Sequence, residues 1–110
     1  MWIASTSGFF SIVQHREFPD QVFVRARVKK DLENLFDPER ISHTPEADYH
    51  WRVMISKAEA SEIFLRQFQK INYPNFKNEV AKIPSQKDKL LAYHDIWSVM
   101  WRYASKSFIL

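Results

Sequence analysis

The chain has 110 residues, 45% hydrophobic and 15% aromatic, which suits one compact domain and leaves too little length for a second. A formal charge of +3 makes the surface mildly basic, compatible with nucleotides, nucleic acid or an acidic protein face. The absence of cysteine excludes a disulfide framework, a thiol nucleophile and a thiolate metal site, and implies a cytoplasmic setting.

Met1-Trp2-Ile3-Ala4-Ser5-Thr6 has neither a basic start nor the roughly 20 apolar residues of a bilayer span, so it reads as structure and no membrane role is expected. Trp2 to Thr6 and Phe9 to Arg16 are β-prone, and Gly8, the only glycine, permits a tight turn or bulge between them. Glu17-Phe18-Pro19-Asp20 has the chemistry of a hairpin loop leading into Gln21 to Val28. There Val22, Val24, Ala26 and Val28 share one face, while Phe23, Arg25 and Arg27 share the other. With Arg16 opposite Gln21, Ile12 falls across from Arg25, Phe10 across from Arg27 and Gln14 across from Phe23. The face turned away from the core then carries Phe10, Ile12, Gln14, Arg16, Phe23, Arg25 and Arg27.

After Val28 the period changes. Lys30 to Phe36 spaces its apolar residues as a short helix does, and Asp37-Pro38 stops it. A loop of about a dozen residues, Asp37 to Asp48, holds Pro38, His43 and Pro45. Tyr49 to Ile55 alternates again, with Tyr49, Trp51, Val53 and Ile55 inside and His50, Arg52 and Met54 outside. Ser56-Lys57-Ala58-Glu59 is a capping box that opens a helix with Ala60, Ile63, Phe64, Phe68 and Ile71 along one stripe, ending before Asn72-Tyr73-Pro74. A brief helical turn is expected over Asn75 to Lys82. Ser85-Gln86-Lys87-Asp88 then opens a last helix, in which Leu90, Tyr93, Trp97, Met100, Trp101 and Ala104 keep helical spacing for about five turns. No repeat or low-complexity stretch occurs, so disorder is expected only in a loop and at the last few residues.

This order predicts a single α+β domain over residues 1–110, a three- to four-stranded mostly antiparallel sheet with helices packed on one face, of ferredoxin-like shape. Its outer face would gather Arg25, Arg27, Arg52, His50 and Arg16 with Phe10, Ile12, Phe23 and Met54. Guanidinium groups grip phosphate in two-pronged fashion and aromatic faces accept a base, so the mixture suits a nucleotide or a single strand. An interface with a second copy or another protein draws on the same residue types. A third reading pairs the arginines with acidic residues of a covering segment.

The glycine-rich aromatic signature of RNA-reading strands is absent, and the last helix carries too few cations for duplex reading. His15, His43, His50 and His94 match no compact ligand spacing, so neither metal nor cofactor is expected. No nucleophile elbow, phosphate-binding glycine loop or zinc helix occurs, and nothing argues for catalysis. Asn72-Tyr73-Pro74-Asn75-Phe76-Lys77 is an aromatic, amide-rich corner whose Tyr73 and Phe76 plug the core; in the alternative, Asn75 and Lys77 rim a ligand pocket.

The pieces Gly8-Phe9-Phe10-Ser11, Val13-Gln14-His15-Arg16, Val24-Arg25-Ala26-Arg27, Asp48-Tyr49 and Tyr73-Pro74-Asn75-Phe76-Lys77 resemble a group of small bacterial and phage proteins that open with a Met-Trp-Ile or Met-Trp-Val strand. The resemblance implies a stand-alone domain linked to mobile elements and supplies no catalytic residue. The expectation is non-enzymatic binding of an anionic, phosphate-bearing small molecule, a nucleotide or cyclic nucleotide, used by a phage or mobile element to sequester a signal. Arg25, Arg27 and Arg52 would hold phosphate, Phe10 or Phe23 would stack on the base, and His50, Asn75 or Lys77 would orient it. A homo-oligomer is compatible with this. The alternative is an inhibitor or interaction module docking the same face on an acidic partner such as a nucleic-acid enzyme.

Overall fold

Alternating side chains build one sheet, seen in a computed structural model that describes residues 1–106. The strands are β1 (Trp2–Ser5), β2 (Gly8–Gln14), β3 (Gln21–Ala26), β4 (Ser42–His43) and β5 (Trp51–Ser56). Every neighbouring pair is antiparallel, in the order β1-β2-β3-β5-β4. The α+β class therefore holds with five strands, because the segment read as one loop contributes β4 and a 3₁₀ turn at Pro38–Arg40. A ferredoxin-like arrangement places a third strand between two joined by a helix. Here β3 and β5, connected through α1 (Lys29–Glu33), are direct neighbours, and β1-β2-β3 is a plain meander.

The chain divides into two compact units, the first Met1–Asn72 and the second from Tyr73 onward. In the first, Phe10, Ile12, Val22, Val24, Ala26, Val53 and Ile55 form the inner face of the sheet. Leu32 of α1, Phe36, and Ala60, Ile63 and Phe64 of α2 (Lys57–Gln69) pack against it. The hairpin β1–β2 is pinned by Asp31, a buried carboxylate that accepts from the Phe9 amide at 3.1 Å. Gly8 has φ +156°, and a Cβ there would lie 2.5 Å from Asp31 Cβ, so close approach as well as conformation requires glycine.

The β2–β3 register differs from the sequence expectation by one residue: Ser11 faces Arg25, Ile12 faces Val24, Val13 faces Phe23 and Gln14 faces Val22. A further bond from His15 N to Gln21 O leaves five residues in the loop, not four. Since strand side chains alternate with a period of two, the slip moves Phe10 and Ile12 into the core and brings Ser11 and Val13 outward. Phe10 packs edge-on against Phe64, with ring centroids 5.8 Å apart. It is a core residue, not a stacking platform.

The second unit holds α3 (Phe76–Ala81) and α4 (Leu90–Lys106), with a 3₁₀ turn at Lys87–Lys89 between them. Asn75 caps α3, its Oδ1 accepting from Asn78 N at 2.9 Å. Buried Gln86 precedes the 3₁₀ turn, so α4 starts at Leu90 and not at the predicted capping serine, Ser85. Disorder expected at the last few residues falls on 107–110, outside the described residues.

Candidate functional site

On the outer face of the sheet, cross-strand pairing lines up Trp2, Ser11, Arg25, Arg52 and Ser42 in one row and Val13, Phe23 and Met54 in the next. The second row is apolar, with Val13 and Met54 exposed. The stacking of His15 on Phe23, 4.9 Å between centroids and 29° between planes, extends it toward the hairpin loop. His15 Nδ1 accepts from the Glu17 and Phe18 amides at 3.0 and 3.3 Å, which shapes that loop.

The segment between β4 and β5 crosses onto this face. Tyr49, assigned to the inner side by alternation, lies outside the regular strand, and its buried ring meets Arg25 at 4.7 Å and Arg27 at 4.4 Å. Guanidinium groups are attracted to the electron-rich face of such a ring and shed little hydration on reaching it. Arg25 Nη2 also donates to Ser11 Oγ at 2.8 Å, Arg27 Nη1 to Asp48 O at 3.0 Å, and Arg52 Nη2 to Tyr49 O at 3.3 Å. The Arg52 guanidinium sits 5.4 Å from the Phe23 ring centroid, and its Nε is buried with no acceptor.

None of these partners carries negative charge. Among the described residues the ion pairs are Arg40–Glu59, Arg66–Glu62 and Lys82–Glu79, none of which involves the three arginines. A covering segment does exist, as one sequence reading required, but it offers backbone carbonyls and a ring instead of carboxylates. Each guanidinium is oriented by uncharged groups.

The other expected site residues are dispersed. His50 is exposed just before β5, with its ring 6.2 Å from that of His43, which in turn stacks on Trp51 at 4.0 Å. Asn75 and Lys77 belong to the second unit. Asn75 serves as a helix cap, and Lys77 Nζ lies 3.5 Å from His94 Nδ1 and 5.1 Å from the Trp97 ring centroid. Two clefts lie away from the arginines. One of about 520 Å³ is bordered by Leu35, Phe36, Arg40, Glu59, Ile63 and Arg66, and another of about 310 Å³ by Met1, Ile12, Val22, Ala60 and Phe64.

Sequence reasoning missed Ser11, Val13 and Tyr49. The first two were recoverable: aligning the apolar residues of β2 with Val22 and Val24 selects the observed register. Tyr49 gave no such signal, because its alternation with Trp51 and Val53 continues through the point where the strand ends.

Among the described residues no helix is long and apolar enough to cross a membrane, and no three histidine, aspartate or glutamate side chains gather as a metal site. Compared with family models, curated proteins and solved structures, the chain matches none.

Proposed function

We propose that the protein is a non-enzymatic binding module of the cytoplasm whose outer sheet face docks on an acidic surface of a partner protein. The carrying observation is the pair of adjoining rows: cross-strand neighbours Arg25 and Arg52, oriented by uncharged groups, beside exposed Val13 and Met54 flanking Phe23. Arginine next to an apolar and aromatic strip is the composition of protein interfaces, where oriented charge selects the partner and buried apolar area holds it.

A second reading, a nucleotide or cyclic nucleotide, draws on the same charge: Arg25 and Arg52 are spaced as a cross-strand pair, and Phe23 lies between them and the hairpin loop. The two separate in one set of titrations, using a labelled peptide of alternating glutamate and leucine, a single-stranded oligonucleotide, and mono- and cyclic nucleotides. The first reading expects the peptide to bind, more weakly as salt rises, with Arg52→Glu/Met54→Glu lowering affinity by at least about tenfold. A selective rise in melting temperature with one nucleotide, lost in Arg25→Ala/Arg52→Ala, would replace it by the second. No binding of any probe to the folded protein would remove this face from consideration.

A further inference from the structure

In α4 the apolar residues occupy more than one side. Tyr93 is buried and packs on Phe76 with ring centroids 5.2 Å apart, so its side faces its own unit, while Lys77 of α3 lies over a Trp97 that is 55% exposed. About a third of a turn away run Ala92, Ile96, Val99 and Tyr103, at the alternating four- and three-residue spacing of a coiled-coil seam. Ile96 is 43% exposed, Val99 51%, Tyr103 68%, and adjoining Met100 56%. This is a helix about 25 Å long with an apolar stripe turned to solvent.

Flanking the stripe on one edge are Asp95 and Arg102. They stand seven residues apart, two turns and about 10 Å, too far to pair within the helix, and neither takes part in an ion pair among the described residues. We propose that α4 is a dimerisation helix that packs antiparallel against α4 of a second copy of this chain. The commitment to a second copy, and to that direction, comes from self-complementarity. An antiparallel seam that sets Ile96 against Val99 also sets small Ala92 against large Tyr103 at each end. The same register places Asp95 of either copy beside Arg102 of the other, twice by symmetry. A parallel pair instead puts Tyr103 on Tyr103 and brings Asp95 next to Met100, leaving both charges without opposite partners. Two-fold symmetry requires each patch to fit itself, and this one does so in one direction only.

The seam spans fewer than two full heptads, which places it at the small end of specific interfaces. The dimer is therefore concentration-dependent, and sedimentation equilibrium of the full chain between roughly 1 and 200 μM is the fitting measurement. The expected result is a rise from the mass of one chain to that of two. Val99→Asp should abolish it with an unchanged far-ultraviolet circular dichroism spectrum. Asp95→Arg and Arg102→Asp, each placing like charges on the flank, should raise the dissociation constant by about tenfold. Asp95→Arg/Arg102→Asp together should restore it. These charge positions are solvent-exposed, so they test the seam even where Val99→Asp impairs folding. A chain that stays monomeric throughout, a dimer indifferent to Val99→Asp, or a double exchange that fails to restore association would each overturn the proposal.

Discussion

Removing the ring of Tyr49 takes a packing surface from two guanidiniums at once, Arg25 and Arg27, and exposes the sheet beneath. Tyr49→Ala is expected to lower unfolding free energy by about 3–5 kcal/mol, the range for deleting a buried aromatic ring, while Tyr49→Phe stays near the parent. Arg52→Met behaves differently. It removes a buried Nε that has no acceptor and a single 3.3 Å bond, yet keeps an apolar stem for Phe23, so stability should stay within about 1 kcal/mol. Urea unfolding of the three variants checks both statements; equal losses for Tyr49→Ala and Arg52→Met would refute this division of labour. Arg52 is then the arginine the fold can spare, which makes it the sharper probe of binding.

At the level of elements, α2 begins as its sequence says, Ser56 Oγ accepting from Glu59 N at 3.1 Å. The reciprocal half of the box is diverted, since the Glu59 carboxylate takes a two-pronged contact from Arg40. Hydrogen bonding from Arg40, opposed in part by desolvation and aided to a lesser degree by the Arg40 charge, holds the Glu59 carboxyl below the usual carboxylate range. A depressed folded-state value means that this contact stabilises above the ordinary titration range and is lost as pH falls through the folded value. Both side chains are more than a third exposed, so solvent screening limits the effect to under about 1 kcal/mol. Arg40→Gln should be slightly less stable than the parent near neutrality and indistinguishable from it once Glu59 is protonated, by urea midpoints measured at both conditions. Elements with a local signature were legible in the sequence: the cap at Ser56, the short helical stretch beginning at Asn75, the stop at Asp37-Pro38, the alternation of β3. The β2–β3 register was legible only through the apolar match across the two strands, and the placement of Tyr49 was not. Each depends on what lies across the sheet, and a five-residue loop differs from a four-residue one by a single position that no propensity marks.

Across the whole molecule, the buried cluster that includes Phe10, Val24, Leu32, Val53 and Ala60 lies inside Met1–Asn72, together with the strands and helices that enclose it. A chain ending at residue 72 is therefore expected to unfold cooperatively on heating; a broad, non-cooperative melt would show that residues beyond Asn72 complete its core. The α+β class was readable from the order of periodicities, whereas the candidate face was only half readable, its arginines evident and its geometry dependent on a one-residue shift. Arg27 and Arg52 bond to the carbonyls of Asp48 and Tyr49, and Arg25 and Arg27 share the Tyr49 ring. Carbonyls belong to every residue, so the two bonds record the path of the chain and survive replacement of the side chain at 48. Lifting that dipeptide, by contrast, would take one partner from each of the three guanidiniums at once, leaving Arg25 on Ser11 and Arg52 over Phe23.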